Sequence, residues 1–185
     1  MYPNIALTGL ARSGKDSVAG RLVSLYGYTR VAFADPLKEA ALRTDPWVLH
    51  SAYGQLLNVG RLSDLIDCLG WETAKDRYPE VRRILQEYGQ AIREMDPDFW
   101  IRAALRKVQR ARFEGKPVVV SDVRYANEAD ALRSAGFMVV RVVRPGQAPG
   151  QHRSEREMLD YQVDDEIVND GTLYDLYMKV DRFMR

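Results

Sequence analysis

The sequence predicts an α/β fold in which a parallel β-sheet of about five strands is flanked by helices, with a helical insertion and a short lid. Three observations carry that prediction. Short apolar runs rich in β-branched residues, such as Val118–Ser121 (VVVS) and Met138–Val143 (MVVRVV), read as strands buried on both faces. They alternate with segments of helical periodicity, which implies parallel strands joined by crossover helices. A glycine-rich segment, GLARSGKDS (9–17), joins the first strand to the first helix, where a phosphate-binding loop must lie. With 185 residues and 46% hydrophobic side chains, the chain reads as a single domain, 1–185, able to bury a sizeable core.

Each element follows in order. Asn4–Thr8 (NIALT) is a short apolar run stopped by Gly9, hence a buried first strand. Ser13–Tyr26 places Val18, Leu22, Val23 and Leu25 at helical spacing, and Gly27 ends it. Thr29–Phe33 is a second strand. Asp35–Arg43 is a helix, with Asp35 as N-cap and Pro36 at the first helical position. Across residues 44–80, Trp47, Tyr53, Trp71 and Tyr78 follow no single period, and the segment reads as helices with loops. Arg82–Met95 and Asp98–Phe113 read as helices parted by Asp96-Pro97. Asn127–Ser134 is the helix after Val118–Ser121. Pro145–Gln151 (PGQAPGQ) has loop composition. Ser154–Tyr161 reads as a helix with Ser154 and Glu157 as a capping box. Glu166–Val168 is a last short strand and Leu173–Met184 the final helix.

Composition narrows the partners. Lys and Arg number 27 against 26 Asp and Glu, a net charge of +1, which gives no support for a nucleic-acid polymer as partner. The single cysteine, Cys68, excludes an internal disulfide and a multi-cysteine zinc site, and suits a reducing cytoplasm. The N-terminal apolar stretch is too short for a signal peptide, and no apolar run approaches the roughly 18 residues of a membrane span.

The loop at 9–17 states the chemistry most directly. Gly9, Gly14 and Lys15 match the G-x-x-x-x-G-K pattern. Glycines let backbone N–H groups turn toward phosphate oxygens, and the helix N-terminus adds positive potential. Arg12, Ser13, Gly14, Lys15, Asp16 and Ser17 are therefore the candidates for the phosphates of ATP. The pattern departs in one place. Asp16 stands where a hydroxyl normally ligates magnesium, and the hydroxyl comes one residue later, at Ser17. A bare carboxylate repels a triphosphate unless Mg²⁺ or an arginine lies between them. Asp16 thus reads as part of a Mg²⁺ shell, as the partner of an active-site arginine, or as a first-turn acid favoured by the helix dipole.

Other candidates stand at the carboxyl ends of the strands, where ligands of parallel sheets bind. Asp122 follows VVVS, the position of an acid that holds Mg²⁺ through water, or else of a turn former. Arg124 is two residues on. Glu128, in the next helix, either reaches a ligand or faces solvent. Asp35 is a cap with or without a further role. Trp100 is either a wall of a base pocket or part of a packing face. The segment 144–156 reads as a lid that closes over the phosphates. In it Arg153 is placed to stabilise transition-state charge and Arg144 to stack on the donor base.

RSGKDS (12–17), FADPLK (33–38), ILQEYGQAIRE (84–94), DFW (98–100), VVVSDVRYANEADAL (118–132), VRVVRP (140–145), HRSE (152–155) and IVNDG (167–171) together resemble the phage-type deoxynucleoside monophosphate kinases. Their order and spacing hold along nearly the whole chain, and the GKD departure also occurs in that family. The resemblance implies the P-loop nucleoside monophosphate kinase fold and transfer of the γ-phosphate of ATP, with Mg²⁺, to a deoxynucleoside monophosphate. It implies Lys38 as the acceptor-side lysine, Arg93 as the grip on the acceptor phosphate, and Asn169 and Gly171 as lining of the adenine pocket. Residues 44–95 become the acceptor-binding region. Lys15, Asp16, Arg124 and Arg153 become the catalytic set, and Asp16, Ser17 and Asp122 the metal set. Two other readings stand beside it. One is a kinase for another metabolite, of the dephospho-CoA or phosphomevalonate type, which shares part of the pattern. The other is a nucleotide-binding module without turnover, which has no need of the arginine-bearing lid. A homodimer in the cytoplasm, the host's for a phage-encoded chain, is the default assembly.

Overall fold

A computed structural model describes residues 2–52, 55–148 and 156–185. In chain order the elements are β1 (Asn4–Thr8), α1 (Lys15–Tyr26), β2 (Thr29–Val31), α2 (Ala34–Thr44), β3 (Trp47–Ala52), β4 (Gln55–Arg61), α3 (Leu62–Arg77), α4 (Pro79–Met95), α5 (Phe99–Phe113), β5 (Val118–Val123), α6 (Ala126–Ser134), β6 (Phe137–Val143), β7 (Asp165–Val168) and α7 (Leu173–Phe183). They form two compact units, Met1–Phe33 with Ile101–Arg185, and Ala34–Trp100.

The first unit is built on a five-stranded sheet in the order β2-β5-β1-β6-β7, with every pairing parallel. The strands form because their residues are apolar on both faces. Ile5, Leu7, Val119, Val140, Val142 and Ile167 pack against Val18, Ala19 and Leu22 of α1 and Leu176 and Val180 of α7. The alternate residues Ala6, Val118, Val120 and Val139 point to the opposite face and are also fully buried. Each such Val or Leu contributes roughly 1.5–3 kcal/mol of burial. β1 lies between β5 and β6, so the loop after Thr8 leaves from the middle of the sheet. The ends of β5, β6 and β7 flank it.

Two local expectations for this unit need correction. The first helix begins at Lys15, not Ser13, because Arg12 and Gly14 are left-handed, with φ of 63° and 110°. The sequence predicts a helix over Ser154–Tyr161, but in its described part residues 156–160 are turn and bend and Tyr161 is irregular. Arg141 donates to the Met158 and Tyr161 carbonyls at 3.0 and 2.6 Å, and Glu157 accepts from the Ala126 N–H at 3.1 Å. Those groups bond across the fold instead of along a helix. Ser154 lies outside the described residues.

Glu128 does not face solvent. It is buried at 2% exposure, and its Oε2 accepts from the N–H groups of Arg124 and Tyr125 at 2.9 and 3.2 Å. The carboxylate caps α6 and fixes the turn that follows β5. Glu128→Ala leaves two amides short of an acceptor and is expected to cost about 1–3 kcal/mol. That corresponds to a melting midpoint lower by roughly 2–10 °C for a chain of this size, read by calorimetry.

The second unit corrects the reading of 44–80 as helices with loops. β3 and β4 pair antiparallel, with Leu49 opposite Asn58, and α3 follows directly. The alternation is that of a half-buried strand. Val48 is fully buried, while Trp47 and Leu49 on either side are 50% and 40% exposed. Val48, Leu62, Leu65, Ala74 and Val81 form the core of this unit with Ala41 and Tyr78. α2 begins at Ala34, so Asp35 is a first-turn acid, not the N-cap. Leu37 of α2 packs on Gly89 of α4, whose carbonyl accepts from Trp100 Nε1 at 3.1 Å. The Trp100 ring is 3% exposed and meets Phe99 edge-on at 4.9 Å.

Candidate active site

The phosphate loop takes its shape from two glycines. A Cβ on Gly9 would lie 2.3 Å from the Val142 carbonyl oxygen, and one on Gly14 would lie 2.7 Å from Asn169 Nδ2. Both have positive φ, which a side chain disfavours. The chain therefore turns tightly at the end of β1 and delivers the N-terminus of α1 to the sheet edge. Lys15 Nζ donates to the carbonyls of Gly9 and Leu10, both at 2.7 Å. The ammonium thus reaches back over the loop it terminates.

Residues far apart in sequence complete the pocket. Asn169 Nδ2 donates to the Ser13 carbonyl at 2.9 Å, tying the end of β7 to the loop. Arg12, Gly14, Lys15, Asp16 and Ser17 share one cavity of about 430 Å³ with Arg144, Asn169, Gly171, Leu173 and Leu176. Apart from Ser13, which is buried at 1% exposure, the residues expected at the phosphates line one pocket with those expected at adenine. Gly171 leads into α7 through a capping box. Thr172 Oγ1 accepts from the Asp175 N–H, and the Asp175 carboxylate accepts from the Thr172 N–H and hydroxyl. The hydroxyl bond from Thr172 holds the Asp175 carboxyl below its ordinary range. Lys179 binds the Val168 carbonyl and pairs with Asp170, which lowers the Asp170 carboxyl in the same way. The turn after β7 is thus pinned at both ends.

Asp122 lies at the end of β5, where its Oδ1 accepts from the Phe33 N–H at 2.7 Å. Arg124 is exposed beside it. Asp16 is 89% exposed, and Arg30 Nη2 approaches its Oδ1 at 4.0 Å. Among the described residues no three His, Cys, Asp or Glu side chains converge on a metal position. Arg153 lies outside the described residues, as does most of the lid segment.

In the second unit, Asp35 and Lys38 lie on α2 and Arg93 on α4. Arg93 is one turn beyond Gly89 and shares its face of the helix, the face packed on α2. Lys38 Nζ sits 5.5 Å from the centre of the Trp71 ring.

Two residues of the pocket wall, Leu173 and Leu176, read from the sequence only as part of the final helix, and Arg30, which approaches Asp16, only as part of the second strand. Periodicity places a residue on an element, but which loop that element faces is a tertiary fact. The signal in the sequence is the NDG turn (169–171), one residue before the helix that starts at Leu173.

The profile of the deoxynucleotide monophosphate kinase family matches residues 71–180, well over half of the chain. The chain belongs to the deoxynucleotide monophosphate kinase family. The match begins beyond the phosphate loop, so loop and profile are separate signals. The deoxynucleotide monophosphate kinase of Enterobacteria phage T4 is 26% identical, over 95% of this chain and 96% of that protein. A protein of Acanthamoeba polyphaga mimivirus is 27% identical, over 95% and 93% of the two chains. An uncharacterised protein of Ictalurid herpesvirus 1 is 32% identical over 57% of this chain, which spans about half (49%) of that relative's length. Dephospho-CoA kinase from Campylobacter jejuni superposes with a TM-score of 0.53 at 14% identity, covering 98% of this chain and 95% of that one. That likeness is one of fold. As a deoxynucleotide monophosphate kinase family member the chain is a phosphotransferase. Among the described residues no helix is long and apolar enough to cross a membrane.

Proposed function

We propose that the enzyme transfers the γ-phosphoryl group of ATP to the 5′-phosphate of a deoxynucleoside monophosphate, giving the diphosphate for deoxynucleotide supply. The observation that carries this reading is the donor pocket, in which phosphate-loop residues and the turn after β7 face one cavity. Its 430 Å³ suits a mononucleotide, since ligand pockets run to roughly 300–1,000 Å³. Arg12, Ser13, Gly14 and Lys15 take the phosphates. Arg144, Asn169 and Gly171 take the adenine, with Leu173 and Leu176 as apolar wall.

The reaction needs positioning and charge neutralisation more than a base. The acceptor phosphate is already largely ionised near neutral pH, its second pKa being about 6. Two anions must be drawn into line. Lys15, Arg124 and Arg153 supply the positive charge. Mg²⁺ would be held by Asp16, Ser17 and Asp122, directly or through water, and supplies neutralisation between the phosphate oxygens. So sparse a protein shell is usual for magnesium bound with a nucleotide. On the acceptor side Lys38 and Arg93 bind the phosphate and Asp35 sets its surroundings, whereas Glu128, buried as the cap of α6, acts only by fixing the turn that carries Arg124. Trp100 acts there from within the core, holding α4 through Gly89. Partners are small nucleotides in the cytoplasm, and assembly is as a homodimer.

The test is ADP release measured with each deoxynucleoside and ribonucleoside monophosphate in turn. Rapid turnover with at least one deoxynucleotide is expected. ATP binding without turnover on any of them would sink the proposal. In the same assay Arg93→Ala is expected to raise the acceptor KM or lower kcat by about 10- to 100-fold, the range lost with one charged hydrogen bond. The dissociation constant for ATP should stay within about twofold, because Arg93 is outside every donor motif. Unaltered kinetics at low acceptor concentration would remove Arg93 from the site.

A further inference from the structure

The phosphate loop holds one residue in an unfavourable shape. Arg12 has φ 63°, in the left-handed region that a side chain with a Cβ disfavours. The peptide between Ala11 and Arg12 is held from outside the loop. That peptide's carbonyl accepts a hydrogen bond from Gln147 Nε2 at 3.1 Å, across 136 positions of sequence. In a trans peptide the C=O and N–H point in opposite directions. Fixing the Ala11 carbonyl on Gln147 therefore turns the Arg12 N–H to the other side of the loop. The amide cannot work reversed, since its oxygen would then face a carbonyl oxygen.

Gln147 is itself held in place. Arg144-Pro145-Gly146-Gln147 form a turn in which the Gln147 N–H meets the Arg144 carbonyl at 3.4 Å. Gly146 has φ 80°, and proline followed by such a glycine is the type II pattern. One turn thus delivers two side chains, Arg144 to the wall of the donor pocket and Gln147 to the phosphate loop. Behind the loop, Gln147 joins Thr8, Gly9 and Leu10 around a second cavity of about 150 Å³. Gln147 Oε1 and Thr8 Oγ1 are buried there and bond to none of the described residues. The only described bond of the Gln147 side chain is thus the one it gives to the Ala11 carbonyl.

We infer that Gln147 is a positioning residue of the donor site, holding the phosphate loop in its nucleotide-binding shape through the Ala11 carbonyl. This rests on reading the larger pocket as the ATP site. The test compares wild type, Gln147→Met and Gln147→Glu. It measures the dissociation constant of the non-hydrolysable analogue AMP-PNP with Mg²⁺, steady-state kinetics and the melting midpoint. Gln147→Met keeps the length and loses the donor. It is expected to raise the AMP-PNP dissociation constant and the KM for ATP about five- to tenfold, the size of one hydrogen bond. The acceptor KM should stay within about twofold. Gln147→Glu sets a carboxylate oxygen against the carbonyl and is expected to weaken the donor further, with the midpoint nearly unchanged in both variants. A folded Gln147→Met protein with wild-type donor affinity overturns the inference. So does an equal loss for donor and acceptor, which a merely structural residue would give. Wild-type protein that binds no AMP-PNP overturns the donor-site reading itself and this inference with it.

Discussion

Replacing Lys15 by Ala is expected to lower kcat by about 10³-fold or more while leaving the protein folded. Removing one preorganised charge from a transition state typically costs about 10²–10³, and in the proposed reaction Lys15 brings a full charge to the oxygens that change most. The structure gives Lys15 a second task, since its ammonium binds the Gly9 and Leu10 carbonyls at 2.7 Å each. Those bonds are partly exposed, and the sheet beneath them does not depend on Lys15. The melting midpoint should therefore fall by only a few degrees. Lys15→Arg keeps the charge but presents a planar fork where a compact ammonium is needed, so it should stay far below wild type. The measurement is single-turnover phosphoryl transfer with saturating ATP and acceptor. A folded Lys15→Ala protein turning over at the normal rate would remove the loop from catalysis.

The fold was legible where one kind of residue decides one element. Asn4–Thr8 and Val118–Ser121 have few alternatives to a buried strand, and the structure puts them at the centre of the sheet. Gly9, Gly14 and Lys15 identified the loop because its backbone shape admits little else. The reading failed where partners lie far away in sequence. Trp47-Val48-Leu49 alternates, but three residues cannot be told from a helix turn until β4 pairs with them. Ser154 and Glu157 have the spacing of a capping box, yet Glu157 bonds to Ala126 on another element. Glu128 reads in the sequence as an acid that either reaches the acceptor or faces water, and only the two amides that it caps repay its burial. The larger pocket behaved the same way. Its residues were named singly, but that Asn169 holds the Ser13 carbonyl is a consequence of β7 closing the sheet beside β6.

Asp16 gives the last large effect, and the structure now supplies a named arginine for it. Asp16→Asn removes the charge and keeps the shape. It is expected to lower kcat about 10- to 100-fold and to shift the dependence on Mg²⁺ to higher concentration, because a neutral amide is a poorer partner for the metal or for a guanidinium. The midpoint of unfolding should not move. The carboxylate is 89% exposed and Arg30 stands 4.0 Å away, so the pair contributes less than about 1 kcal/mol to folding. Two routes to the rate effect then separate. If Asp16 serves the metal, Asp16→Ser restores the usual loop hydroxyl and should recover magnesium use better than Asn. Arg30→Ala should then cost little, and its effect should add to that of Asp16→Asn. If Asp16 instead orients Arg30, Ser should do no better than Asn, Arg30→Ala should reproduce the loss, and the double variant should be no worse than either single one. The measurement is kcat against Mg²⁺ concentration for the wild type and these four proteins. Superimposable curves for wild type and Asp16→Asn would leave Asp16 as a helix-start acid that favours the dipole of α1 and takes no part in transfer.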